Sequence, residues 1–462
     1  MARRVNRRAF LGKVTCGGAG VLILTAGRPG RTYAANEKLN LAHVGVGGRG
    51  RELLLRFADQ ANRVAFCDVD ASRAAHMFKK YPDVPKFKDF RRMLDKMGKQ
   101  IDAVVVATPD HTHAVATAAA IRAGKGVYTE KPLTRTVGES RILRALAKEH
   151  KVASQMGNQG TASGAFRQAV DIIRAGGIGE VKEVHIWNSA GGPSHKAPPK
   201  PAKGKDTVPA YLDWDLWLGP AAWRPFHVRW QRGWHGWRDF ATGQLGNWAS
   251  HSANLAFMAL KVHELWHAEA ASKPRLRIEA KVSEINRLSF PRWEVVRWQI
   301  PARGVLKPIT FTWHNGGKAP GSRDLLERLN EGDLDWGDKK EKKWRDHGGA
   351  IIVGTKGSVR ATEHNASYWL LPKKQFADYK PPARVLPRPV GHQREWLLAC
   401  RGGKPALSNF DYSGPLNEFL QLANVATQAE GPLEYDPLAG KIVNNAQANE
   451  LLHSAYREGW SL

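Results

Sequence analysis

Gly45-Val46-Gly47-Gly48-Arg49-Gly50 has the spacing GxGxxG, and it lies between an apolar run and a helical pattern. Glycine at those positions allows a tight turn and close backbone approach, so the N-terminus of the next helix can receive a pyrophosphate. Asp68 stands eighteen residues beyond Gly50, at the end of the next apolar run. A carboxylate there accepts the adenosine ribose hydroxyls of a dinucleotide and repels a 2′-phosphate, so NAD is expected rather than NADP. A doubly wound sheet with a glycine turn and no nucleotide is the structural alternative. Two further loops carry groups suited to proton and charge handling: Thr108-Pro109-Asp110-His111-Thr112-His113 and Thr129-Glu130-Lys131-Pro132. A lysine in such a loop can bind a substrate hydroxyl and stabilise developing alkoxide, and Pro132 biases Lys131 toward extended backbone. One of His111 and His113 is expected to order the loop.

Apolar runs at 39–44, 63–67, 103–107, 126–128 and 152–154 alternate with helical patterns. Continuous apolar strands separated by helices predict a parallel sheet covered on both faces, with ligands at the carboxyl ends of its strands. Both chemistry-bearing loops fall at such ends. Thr136 and Glu139 predict a capping box for the helix after Pro132. Further on, Val181–Trp187, Trp293–Trp298, Ile309–Trp313 and Ala350–Val353 read as strands. They are separated by a Pro/Lys/Gly-rich loop at Pro193–Pro209 and a charge-dense segment at Asp324–Lys343.

The chain of 462 residues with 42% hydrophobic positions can bury two domain cores. Its first 35 residues differ from the rest. Asn6-Arg7-Arg8-Ala9-Phe10-Leu11-Gly12-Lys13 precedes an apolar stretch to Ala26 and small residues at Ala34 and Ala35. That pattern predicts a twin-arginine export signal and a periplasmic or otherwise exported protein; the apolar stretch is too short and glycine-rich for a membrane anchor. Cleavage would lower the formal charge from +27 to +20. Lys and Arg are dispersed and no nucleic-acid motif is present, so the charge reads as solvated surface. The three cysteines, Cys16, Cys67 and Cys400, exclude a disulfide scaffold.

GVGGRG, Cys67-Asp68-Val69-Asp70, Ala107–His113, Thr129–Pro132 and Met156-Gly157-Asn158-Gln159-Gly160 together resemble the Gfo/Idh/MocA oxidoreductase family. Trp214–Pro220, Thr242–Gly246, Ser408–Tyr412 and Tyr456–Trp460 resemble an exported, sugar-associated branch of it. The resemblance implies an α/β Rossmann domain (36–158) and an α+β C-terminal domain (159–462) with a large open, mostly antiparallel sheet that often forms an oligomer interface. It implies a cofactor site at Gly45, Gly47, Gly48, Arg49, Gly50, Asp68, Thr108, Pro109, His113, Glu130, Lys131, Asn158 and Gln159, and a homo-oligomer. In such dehydrogenases the lysine works with an Asp and a His four residues apart. The matching positions are Asn247 and His251, which on a helix share a face, with His251 as general base. Asn247 departs from the pattern, because an amide cannot supply the charge that stabilises imidazolium.

Seven tryptophans lie between residues 214 and 248, and aromatic faces pack against sugar rings. Trp237, with Arg232, His235 and Arg238 among them, is a candidate substrate contact. The expected activity is hydride transfer at a hydroxyl carbon of a sugar, with the cofactor held tightly because an exported enzyme meets no nicotinamide pool. Two alternatives stand beside it: a redox-neutral glycoside-cleaving cycle of oxidation, elimination, water addition and reduction, and a nucleotide-loaded binding protein whose site has decayed.

Overall fold

A computed structural model describes residues 38–188, 202–269, 272–316 and 348–462. The export signal, most of the Pro193–Pro209 loop and the Asp324–Lys343 segment lie outside the described residues.

Six strands form the first sheet: β1 (Asn40–Val44), β2 (Asn62–Cys67), β3 (Lys86–Phe87), β4 (Ala103–Val106), β5 (Gly126–Thr129) and β6 (Ser154–Met156). Their order is β3-β2-β1-β4-β5-β6, and every pairing is parallel. This is the doubly wound Rossmann order, with its switch point between β1 and β4. All four side chains of β4 are buried, as expected for a central strand covered on both faces. The last strand is displaced from its expected place: Val152 and Ala153 precede it, and β6 runs on to Met156.

The helices are fixed locally. Asp70 caps Ala71–Lys80 by accepting from Ser72 and Arg73 N–H, and Thr136 and Glu139 form the expected reciprocal box at Val137–Glu149. Asp110–Arg122 is buried along nearly its whole length, which explains its weak amphipathic pattern.

The second sheet has nine strands in the order β13-β12-β11-β7-β10-β9-β8-β14-β15. They are β7 (Val181–Asn188), β8 (Leu276–Val282), β9 (Glu294–Ile300), β10 (Ile309–Asn315), β11 (Gly348–Gly354), β12 (Gly357–Thr362), β13 (Tyr368–Leu371), β14 (Leu433–Asp436) and β15 (Lys441–Ile442). Only β7 and β10 pair in parallel, so the sheet is mostly antiparallel. Val184, Ile186, Trp298, Phe311 and Trp313 point to its covered face. The helix Phe410–Ala426 bridges the two sheets. It joins Val137–Glu149 through Arg141–Glu418 at 2.9 Å and Arg144–Asp411 at 2.8 Å, and Asn417 Nδ2 donates to Thr134 Oγ1 at 2.9 Å.

Candidate active site

A cavity of about 350 Å³ opens at the β1/β4 switch point. Gly45 turns the chain there at φ +80°, and a Cβ on it would lie 2.5 Å from the Ala107 carbonyl oxygen. Gly50 is more constrained: a Cβ would lie 1.9 Å from the Gly45 carbonyl oxygen. Only glycine lets the loop fold back onto its own helix, which leaves Gly47, Gly48 and Arg49 lining the cavity. Asp68 lines it as well. Its Oδ2 accepts from the N–H groups of Val46 (2.9 Å) and Gly47 (3.3 Å), and its Oδ1 accepts from that of Asp70 (3.0 Å). Burial pushes the Asp68 carboxyl above the usual carboxylate range, against those three N–H groups, which favour its ionised form. Cradle, carboxylate and crevice fit a dinucleotide.

Thr108, Pro109, His113, Glu130 and Lys131 reach the same cavity from the other two loops. His113 ties those loops together, with Nδ1 2.8 Å from the Pro132 carbonyl and Nε2 2.9 Å from the Thr108 carbonyl. His111 orders the outer side: it sits 2.8 Å from the Trp217 carbonyl between Trp217 and Phe240, and burial pulls it down to about 3. Glu130 Oε1 accepts from Arg49 Nε at 3.1 Å and Gln159 Nε2 at 3.0 Å. Gln159 therefore supports the cavity through Glu130 without lining it. Asn158 does not line the cavity: it is fully buried, and its Oδ1 accepts from Ser408 Oγ while Nδ2 has no partner among the described residues.

Lys131 Nζ donates to Asn247 Oδ1 at 2.5 Å, bringing the two domains' candidate groups together at the cavity wall. Burial lowers the Lys131 ammonium from its ordinary range, while Glu130 and Asp110 oppose that shift. Leu245–Ala249 is a π-helical turn running into Ser250–Ser252, where a regular α-helix was expected. Asn247 faces the cavity, whereas His251 lies off its lining, 5% exposed, with Nδ1 unpartnered among the described residues. Burial holds His251 well below the usual histidine range, and Lys131 and His364 push it the same way.

Three of the substrate candidates fall away from the cleft. Arg238 is buried with Nε on the Asn286 and Ser289 carbonyls at 2.8 and 2.7 Å. Trp237 belongs to the buried cluster with Trp214, Trp217 and Phe240, and Arg232 is exposed and off the lining. His235 does line the cavity, stacked on Trp234 with centroids 3.6 Å apart. The sequence reasoning passed over Asp110 and His364. Asp110 lines the cavity and accepts from Thr242 Oγ1 at 2.8 Å; its place at the start of the helix after Thr108-Pro109 was the available signal. His364 lies 4.6 Å from the His251 ring and 5.4 Å from Trp248, brought in by the β12–β13 turn, which no local pattern announces.

Comparison with known proteins decides the family. Residues 39–158 match the profile of an oxidoreductase family with an NAD-binding Rossmann fold, and residues 197–264 match the C-terminal alpha/beta domain of the same family. Residues 39–158 and 197–264 thus carry the two-domain pattern of the Gfo/Idh/MocA family. An inositol 2-dehydrogenase of Salmonella typhimurium is 30% identical over 162 residues, 34% of this chain and 48% of that protein. A levoglucosan dehydrogenase of Pseudarthrobacter phenanthrenivorans is 26% identical over 155 residues, 31% of this chain and 39% of that protein. The chain thus spans about half the length of the curated relatives it matches, or less. Solved folds extend further. An inositol dehydrogenase homolog from Azotobacter vinelandii, complexed with NADH and myo-inositol, covers 87% of this chain and 98% of its own at TM-score 0.54 and 17% identity. An aldose-aldose oxidoreductase from Caulobacter crescentus, complexed with glycerol, covers 86% and 100% at 0.54 and 15%. The two solved structures share the fold described above over nearly their whole length.

Proposed function

We propose that this chain is an NAD-dependent oxidoreductase of the Gfo/Idh/MocA family that removes hydride from a hydroxyl-bearing carbon of a sugar or sugar derivative. The observation that carries the reading is Lys131 Nζ, set at the wall of the dinucleotide-shaped cavity and bonded to Asn247. The family's NAD-binding description and the sugar and polyol names of its relatives support the same class. A bound nicotinamide supplies the hydride acceptor. Gly47, Gly48 and Arg49 would hold the pyrophosphate end and Asp68 the adenosine ribose.

The chain's own groups then divide the work. Lys131, as ammonium, donates to the reacting hydroxyl oxygen and stabilises the negative charge that grows there as its proton departs. Asn247 Oδ1 fixes the direction of that ammonium and adds no charge. Glu130, anchored by Arg49 and Gln159, and Asp110 favour the charged form of buried Lys131 against desolvation. His251 is the candidate acceptor of the hydroxyl proton. It lies behind Asn247, off the cavity lining, so the role requires the substrate hydroxyl or a water to reach past Asn247, and its burial makes it a weak base. Trp234 and His235 form the flat wall against which a ring packs.

The twin-arginine pattern supports export, and export supports a cofactor kept in place through successive turnovers. The redox-neutral glycoside-cleaving cycle uses the same residues, and the absence of a carboxylate at position 247 keeps it in contention. Incubating the protein with free sugars and with glycosides separates them: new carbonyl product marks the dehydrogenase, and aglycone release without net oxidation marks the cycle. Neither product, with NAD bound, would overturn both.

A further inference from the structure

On the far side of the segment that carries Asn247, a second cavity of about 200 Å³ opens between the start of Val137–Glu149, the helix Phe410–Ala426 and the C-terminal tail. Three arginines line it, Arg135, Arg238 and Arg287, with His453 beside them. The one acid lining it, Asp239, is already paired with Arg224. Arg238 is 7% exposed and makes no ion pair among the described residues. Two of its nitrogens are used on carbonyls and on Thr427 Oγ1, and the third reaches the Asn424 carbonyl only at 3.5 Å. Burial lowers the proton affinity of Arg238, and the buried Glu294 carboxylate opposes that shift from a distance without an ion pair.

Three atoms on side chains that line it, Arg135 Nε, Gln421 Nε2 and Asn424 Oδ1, have no hydrogen-bond partner among the described residues. Gln421 is only 2% exposed, so bulk water does not serve its amide. The first two atoms are donors, and Asn424 Oδ1 is an acceptor. The N-terminus of Val137–Glu149 borders the cavity too, but Thr136 and the Glu139 carboxylate already cap it, so the anion-binding charge comes from the arginines. Cations and orphan donors require an anion, and the orphan acceptor requires an O–H.

We propose that this second cavity binds a compact hydroxyl-bearing oxyanion, either a phosphate group or the carboxylate of a small hydroxy acid, at a site separate from the dinucleotide cleft. The space is too small for a second dinucleotide and sufficient for one such group. The site also contacts the active-site segment: Asn424 Nδ2 donates to the Thr242 carbonyl at 2.8 Å, and Thr242 Oγ1 donates to Asp110.

The test is calorimetric titration of the full chain, saturated with NAD so that the glycine loop does not compete, with inorganic phosphate and separately with glycerate. Saturable binding of at least one probe is expected, and the tighter probe identifies the natural chemistry as phosphate or carboxylate. Arg287 is exposed, so Arg287→Gln should fold and weaken binding about tenfold, the loss of one charge-assisted hydrogen bond. His453→Ala provides a second reading of the same wall, while Lys131→Ala, in the other cavity, should leave the affinity unchanged. Silence from both probes, or affinity indifferent to both Arg287→Gln and His453→Ala, would overturn the site whatever becomes of the oxidoreductase reading.

Discussion

Lys131 is the residue on which the chemistry turns. Lys131→Ala removes the donor to the reacting oxygen and should lower kcat/KM by about 10²–10³-fold, the usual cost of losing one preorganised donor. Thermal unfolding should barely move; a variant that keeps its turnover would remove Lys131 from the mechanism. His251 provides a pH test. Burial and the nearby Lys131 lower its proton affinity, so the acid limb of kcat/KM should lie below the usual histidine range near 6.5. Asn247→Asp places a carboxylate beside Lys131, which raises the imidazolium's stability and should move that limb to higher pH. An acid limb already near 6.5 in the unaltered chain would identify a different base. Lys131, Asn247 and Asp68 were legible in the sequence because each sits in a motif whose neighbours fix its place. Asn158, Arg238 and Trp237 were misplaced because composition shows what a residue can contact, and packing decides what it does contact. Asn158 is held on the Ser408 side and Arg238 on the Asn286 and Ser289 carbonyls, both off the dinucleotide cavity.

At the scale of elements, the glycine loop and the start of its helix form one unit. Gly50→Ala puts a methyl 1.9 Å from the Gly45 carbonyl oxygen, backbone that cannot rotate away. The loop must shift, so NAD affinity should fall by an order of magnitude or more and the melting temperature with it, both readable by calorimetry. Unchanged affinity would show that the nucleotide does not lie on this loop. Continuous apolar runs made β1, β2, β4 and β5 plain in the sequence, as did β7, β9, β10 and β11. The short strands β3, β14 and β15 are set by pairing with neighbours distant in sequence and carry too few residues for a period. Likewise the π-helical turn at Leu245–Ala249 has no local signature, because tertiary packing imposes it.

For the whole molecule, burial of neutral histidines links stability to pH. His43, His111 and His392 are each held at about 3 in the folded protein, against an ordinary value near 6.5 in the unfolded chain. The unfolded chain therefore takes up protons that the folded one refuses. The stability these three histidines contribute is complete above about pH 6.5 and is lost progressively as pH drops toward 3, while the buried carboxyls of Asp68, Glu294 and Glu418, held above their ordinary range, act the other way. A melting temperature that stays level from pH 7 to pH 4 would contradict this. The two-sheet plan was legible from the alternation of strand and helix, and the mostly antiparallel second sheet from the family resemblance. The bridging helix Phe410–Ala426 was not, because its nearly complete burial erases the amphipathic period that marks a surface helix.

The central claim is that NAD sits in the β1/β4 cleft and stays there while sugar is turned over. Denaturing the purified protein and measuring the nucleotide released tests this most directly. Near-stoichiometric NAD or NADH is expected, retained through dialysis and lost in Gly50→Ala. A protein that emerges empty and binds added NAD only weakly would contradict it.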